Sequence, residues 1–232
     1  MSNKTDPLGD RMKGNYENRT RYKLTRRTPV IIRLDGKAFH TITKNFCKPF
    51  DISFGNVMSS LSVDLCSEIQ GAKCAYTQSD EISILITDFD RLTTDAWFDY
   101  NLQKMVSISS AMASVYFAET LVTGDYAFFD SRAFNMPKEE VANYFIWRQK
   151  DWIRNSVSML AQANFSHKQL QKKGQLEMKE MLEEKGICWD ELKDRWKYGT
   201  FVRKIEGDWD REDIVFTDNR DVIEQLLIPV EE

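Results

Sequence analysis

The sequence predicts an α+β protein: a ferredoxin-like βαββαβ core followed by a mainly helical C-terminal region. Three observations predict it. Short β-branched runs at residues 29–34, 74–77, 82–86 and 127–134 have the length and composition of strands. Stretches of helical apolar period separate the first strand from the second and the third from the fourth. Beyond Pro137 the apolar spacing stays helical for most of the chain. The predicted division is a basic arm plus sheet core over residues 1–136, with a helical region over 137–232 packed on it.

Composition narrows the class. The 232 residues are 42% hydrophobic and 12% aromatic, enough for a packed core, and the net charge of −4 is ordinary for a soluble chain. No apolar run is long enough to span a bilayer, and the N-terminus lacks the apolar segment of a secretory signal. Cys47, Cys66, Cys74 and Cys188 have no paired spacing and read as reduced thiols of a cytoplasmic protein. Two histidines, His40 and His167, are too few for a multi-histidine zinc site.

Taken in order, residues 1–29 are polar and hold Arg11, Lys13, Arg19, Arg21, Lys23, Arg26 and Arg27, interleaved with Tyr16 and Tyr22. They read equally as a phosphate-contacting arm and as a solvated terminal segment. The first strand runs into Asp35-Gly36-Lys37, where the glycine ends it. A polar loop with Lys44 and Lys48 follows, and Asp51 or Ser53 offers an N-cap to a helix that Gly71 stops. The next two strands form a hairpin with Gln78-Ser79-Asp80-Glu81 at its tip. Thr93, Thr94 or Asp95 is placed to cap one long helix from Trp97 through Tyr116, with small residues at 107–114 for close packing. Pro137 opens the longest helix, where Trp147, Arg148, Lys150, Trp152, Arg154 and Asn155 mix tryptophans with cations. Ser166 and Gln169 suit a capping box. Residues 199–205 and 214–216 read as two further strands.

The element order places the acids. A strand–helix–strand crossover is right-handed, so the first two strands run parallel; the hairpin then lays the third, antiparallel, beside the first. Asp35 therefore comes to Asp80 and Glu81. Acids clustered at the end of such a sheet suit a polymerase palm or a nucleotidyl cyclase, with two Mg²⁺ ions held by shared carboxylates and substrate phosphates. Lys37, Lys44, Lys48 and Arg132 are candidate phosphate neutralisers, and the backbone N–H groups of residues 37–40 a candidate cradle.

Residues 30–40 (VIIRLDGKAFH), 48–51 (KPFD), 76–81 (YTQSDE) and 147–151 (WRQKD) together resemble the tRNA-His guanylyltransferase superfamily, most of all its bacterial and archaeal guanylyltransferase-like members. The resemblance implies a polymerase-palm core that adds nucleotides in the 3′–5′ direction to the 5′ end of a tRNA activated by ATP or GTP. It implies Asp35, Asp80 and Glu81 as catalytic acids, with Asp35, Asp80 and the carbonyl of Gly36 as metal ligands. Asp35, Gly36, Lys37, Ala38, Phe39, His40, Lys48, Ser79 and Asp80 match its nucleotide site. RNA contacts are expected from Arg19, Arg21, Lys23, Arg26, Arg27, Arg132, Arg148, Lys150, Arg154 and Asn155. Where the eukaryotic enzymes carry a His-Ile-Asn-Asn-type motif, this chain has Ile153, Arg154, Asn155 and Ser156. That departure points to templated repair of 5′-truncated tRNAs rather than dedicated addition of one G. The family also suggests a homotetramer. A non-catalytic RNA-binding protein and a palm-fold cyclase are the alternatives.

Overall fold

The computed structural model describes residues 6–121 and 126–229. Six strands form one sheet in the order β4-β1-β3-β2-β5-β6: β1 (Val30–Gly36), β2 (Ala72–Gln78), β3 (Glu81–Ile86), β4 (Phe129–Asn135), β5 (Thr200–Ile205) and β6 (Asp208–Glu212). The helices are α1 (Pro7–Asn15), α2 (Phe39–Ile42), α3 (Ile52–Glu68), α4 (Leu102–Thr120), α5 (Lys138–Asn164), α6 (His167–Leu170), α7 (Gln175–Glu183), α8 (Asp194–Tyr198) and α9 (Arg220–Glu224). β3 lies antiparallel between β1 and β2, and β4 lies antiparallel on the outer side of β1, so the split βαββαβ order expected from the sequence is the order observed.

Strand alternation assigns the two faces. Val30, Ile32, Leu34, Ile82, Ile84 and Ile86 pack under α3 and α4. Ile31, Leu85, Tyr76 and Phe201 face the other way, against Val141 and Phe145 of α5 and Phe216 and Ile223 beyond it. Each such side chain, once buried, contributes about 1.5–3 kcal/mol. The same alternation puts Arg33, Asp35, Glu81 and Ser83 on the α5 face, where the core gives out and polar chemistry begins.

Asp51 caps α3, its carboxylate accepting from the N–H of Phe54 at 2.9 Å. Along α4 the small residues meet β4: the Ser109 and Ser131 hydroxyls lie 2.8 Å apart. Gln169 accepts from the Ser166 N–H at 2.9 Å, the expected cap.

Three expectations are corrected. The long helix from Trp97 is interrupted: Phe98, Asp99 and Tyr100 adopt φ near +50°, and α4 starts at Leu102 under an Asn101 cap, not under Thr93, Thr94 or Asp95. The detour lets Tyr100 accept from the Leu24 N–H, and the Leu102 N–H donate to Tyr22, both at 2.9 Å. Residues 214–216 are not a strand. The Phe216 side chain fills the α5-side core while its N–H donates to Gln149 at 2.8 Å. The sixth strand is instead the charged segment Asp208–Glu212, an edge strand paired with β5. Finally, β5 pairs with β2, so part of the region after residue 136 continues the sheet rather than packing on it.

Candidate nucleotidyl-transfer site

The site sits where β1 ends beside the β2–β3 hairpin. Asp35 is paired across the sheet with Glu81 on one side and Asp130 on the other. Side chains so paired stand about 4.5–5.5 Å apart at Cβ, and like charges there repel. Asp130 is answered by Arg132 at 3.0 Å. Glu81, only 4% exposed, accepts a two-pronged bond from Arg148 at 2.7 and 2.6 Å and forms an ion pair with Arg33 at 2.6 Å. Asp35 has no hydrogen bond or ion pair from a side chain among the described residues.

Asp80 is fixed by the turn. Its carbonyl accepts from the Gly36 N–H at 3.1 Å, clasping the end of β1 to the hairpin, and Ser79 before it takes φ +49°. Burial pushes the Asp80 carboxyl above the ordinary carboxylate range; the charges of Asp35 and Glu81 push the same way, while its own N–H and the Ser79 hydroxyl pull back.

Two clefts meet at this residue. One, about 410 Å³, is lined by Gly36, His40, Lys48, Ser79 and Asp80 on the loop side. The other, about 380 Å³, is lined by Arg33, Asp35, Asp80, Arg148 and Asn155 on the α5 side. Ser79, Asp80 and Met159 belong to both.

The loop wall is anchored by one side chain. Phe39 is buried against Phe54, Phe117 and Phe129 with ring centroids 5.1–6.0 Å apart. Gly36 makes room for it: a Cβ there would lie 2.2 Å from the Phe39 ring. Lys37, Ala38, His40 and Lys48 are left exposed around the cleft. Of the expected backbone cradle, the Lys37 N–H is already given to Phe128 at 2.8 Å. Those of Ala38, Phe39 and His40 open the short turn α2 and have no acceptor inside it. Lys48 donates to the Thr43 carbonyl at 3.0 Å. Asp51 accepts from the Cys47 N–H at 3.0 Å as well as capping α3. Burial raises its carboxyl, but the N–H groups of Phe54, Cys47 and Ser53 hold it below the ordinary range.

On the α5 wall Trp152 is buried and Lys150 and Arg154 are exposed, as helical period assigns them, but one neighbouring pair is inverted. Trp147 is exposed and Arg148 is buried, its guanidinium 4.6 Å over the Trp147 ring. Arg148 also meets Asp151 at 3.2 Å, and Asp151 in turn meets Arg154. Gln149 ties the helix to the C-terminal segment, donating to the carbonyls of Tyr198 at 3.0 Å and Ile214 at 2.8 Å.

The expected RNA contacts therefore divide. Arg148 is committed to Glu81. Arg26 is tied to the buried Asp88 at 2.5 Å, Arg27 to Asp88 and to the Arg91 and Leu92 carbonyls, and Lys23 to Asp99. These bonds pin the root of the basic arm to the body. Arg19, Arg21, Arg132, Lys150, Arg154 and Asn155 remain at the surface. Arg33 and Met159 were not singled out from the sequence. For Arg33 the signal was its place two residues before Asp35 on the same face; for Met159 there was none.

The donor set suits a hard divalent cation. The side chains of Asp35 and Asp80 and the main chain at Gly36 offer oxygen only, and the Asp80 carboxyl, lifted by burial and by like charge, is short of a cation. Glu81 is not free to join them.

Comparison with known proteins identifies the family. A family model described as tRNAHis guanylyltransferase matches residues 9–137. A bacterial tRNA(His) guanylyltransferase-like protein solved in complex with ATP superposes with a TM-score of 0.91, at 44% identity, over 97% of this chain and 100% of that one. A second such structure, in complex with GTP, gives 0.86 at 42% identity over 96% and 99%. An uncharacterised protein of Acanthamoeba polyphaga mimivirus is 31% identical over 86% of this chain and 77% of its own length. The chain spans about half the length of the eukaryotic guanylyltransferases it matches. The protein belongs to the tRNAHis guanylyltransferase family of nucleotidyltransferases.

Proposed function

We propose that this protein adds nucleotides in the 3′–5′ direction to the 5′ end of tRNAs with truncated 5′ ends, after ATP or GTP has activated the 5′-phosphate. The observation that carries the reading is Asp80, reached from both clefts. A nucleotide in the loop-side cleft and an RNA end in the α5-side cleft would meet across its carboxylate. The ATP and GTP held by the two bacterial structures support a nucleotide occupant.

Phosphoryl transfer asks for positioning and charge neutralisation rather than a covalent residue. Asp35, Asp80 and the Gly36 carbonyl would hold two Mg²⁺ ions, which when bound would activate the attacking 3′-hydroxyl and neutralise phosphate charge. Lys48, His40 and Lys37 hold the triphosphate in the loop-side cleft, together with the N–H groups that open α2. Ser79 shapes the tip between the two substrates. Arg33, whose Nε is buried without a partner and which lines the α5-side cleft with Asp35, is a donor for a second phosphate. Glu81, neutralised by Arg33 and Arg148, positions the hairpin and leaves the cation-binding role to its neighbours. Asn155 and Arg154 border the α5-side cleft, while Arg19, Arg21, Arg132 and Lys150 contact the RNA backbone farther out. The repair role rests on the missing histidine of the Ile153-Arg154-Asn155-Ser156 segment. We assign a cytoplasmic location and a homotetrameric assembly by the family resemblance; no helix among the described residues is long and apolar enough to cross a membrane.

Purified protein, Mg²⁺, labelled NTP and a 5′-truncated tRNA test the reading. Incorporation at the 5′ end supports it. RNA binding without incorporation, or formation of a cyclic nucleotide, overturns it.

A further inference from the structure

The helix α1 is built as if for a surface that one copy of the chain does not supply. None of its residues is buried. Leu8 is 60% exposed and Met12 41%, and at a spacing of four they line one side of the helix; Tyr16, 67% exposed, follows just past its end. Arg11 and Lys13 stand on the flanks. Nine residues with Gly9 and Gly14 among them are too few to hold a helix in water, where about 12–15 good helix formers are marginal. The Asp6 cap, accepting from the Gly9 N–H at 3.0 Å, contributes roughly 1 kcal/mol and does not close that gap. The root of the arm is fixed, since residues 22–24 hydrogen-bond to residues 100–102 and Arg26 and Arg27 grip Asp88. The tip is not.

A matching surface lies elsewhere on the same chain. The solvent side of α4 carries Ile108, Ala111, Val115 and Glu119 in one stripe, with Val115 52% exposed. Beside it α3 presents Asp64 and Glu68. These carboxylates crowd one another: burial lifts the Asp64 carboxyl above its ordinary value, Glu119 and Glu68 lift it further, and Arg211 alone pulls it down. The face is thus apolar with an acidic border; the arm is apolar with Arg11 and Lys13 on its flanks and Asp10 on the side away from Leu8 and Met12. Residues 6–29 hold seven basic and three acidic residues in a chain of net charge −4, so the rest of the chain carries the acidic excess.

We propose that α1 is an exchange arm that docks on the outer α3–α4 face of a second copy of this chain, Leu8, Met12 and Tyr16 covering Ile108 and Val115, with Arg11 and Lys13 against Asp64, Glu68 and Glu119. Exchanged about a twofold axis, each copy gives one arm and receives one, so neither apolar stripe stays wet. An RNA partner fits less well, because phosphates offer nothing to Leu8 or Met12 and the acidic border of the receiving face repels them. Self-association itself belongs to the functional reading above; the arm as its agent does not.

Sedimentation equilibrium on the full chain tests this. Leu8→Asp with Met12→Asp, and separately Ile108→Asp with Val115→Asp, are each expected to weaken self-association at least tenfold, with circular dichroism showing the sheet intact. Arg11→Glu with Lys13→Glu is expected to weaken it too, and adding Asp64→Lys with Glu68→Lys in the same chain to restore it. A wild-type chain that stays monomeric overturns both the oligomer and the arm. An oligomer whose mass ignores the arm variants overturns the arm alone, as does loss of tRNA binding without a change in mass.

Discussion

The two walls of the site are built on opposite principles. On the α5 wall the charges are matched inside the protein: Glu81 lies between Arg33 and Arg148, and Asp151 between Arg148 and Arg154. On the loop wall the fold supplies shape rather than pairing. Phe39 anchors a loop whose His40 and Lys48 line the cleft, with Lys37 exposed beside it, and neither Asp35 nor Asp80 at the seam has a side-chain ion pair among the described residues. Asp80 and Glu81 are chain neighbours with opposite fates. The difference teaches that an acid pair in a sequence is not one structural unit: the buried member is held between two guanidiniums, and in the proposed reading its neighbour takes charge from outside.

The comparison can be broken outright. Asp80→Ala is expected to lower incorporation by at least about a thousandfold while tRNA binding, measured by filter retention, stays measurable, because the lost interaction belongs to transition-state charge. Retained incorporation would remove the carboxylate from the chemistry. Next in size is the framework. Arg148→Ala strands Glu81 in the interior and is expected to cost about 3–5 kcal/mol in urea unfolding. Pairing it with Glu81→Gln should recover part of that loss, and two additive costs would show that the ion pair is not the cause.

The loop wall gives a smaller effect. Gly36→Ala drives a methyl into the Phe39 ring, and is expected to cost about 1–3 kcal/mol of stability. ATP affinity by calorimetry should fall with it; unchanged affinity would separate the anchor from the cleft. The smallest effect is on metal-free protein. An acid whose folded pKa is raised destabilises the fold above its ordinary pKa, and the cost vanishes as the pH falls below about 3.9. Asp80→Asn should therefore raise the melting temperature by a few degrees near neutral pH, with the difference closing toward acid. Mg²⁺ with nucleotide should stabilise the wild type more than the variant.

The same contrast governs what the sequence could disclose. Strand periods and the split order were enough to bring Asp35 beside Glu81, because topology leaves that register little choice. The aromatic anchor was half visible: Phe39 lay in a recognisable stretch, but only packing shows that Gly36 exists to admit its ring. β6 was hidden because Asp208–Glu212 alternates charges on an edge and has almost no apolar signal. The kink at residues 98–100 was hidden because nothing local favours it; the pairing with Tyr22 and Leu24 does. Arg148 was misread for the same reason. Its burial depends on an acid 67 residues away, and helical period alone assigns a cation to water.

Gln149 adjoins Arg148, and its amide grips residues 198, 214 and 216. During synthesis this knot cannot tie until Phe216 has emerged, 67 residues after Gln149 itself, so the guanidinium beside it waits that long for its lateral brace. Order on the α5 wall is thus set by residues far downstream of the helix that carries it.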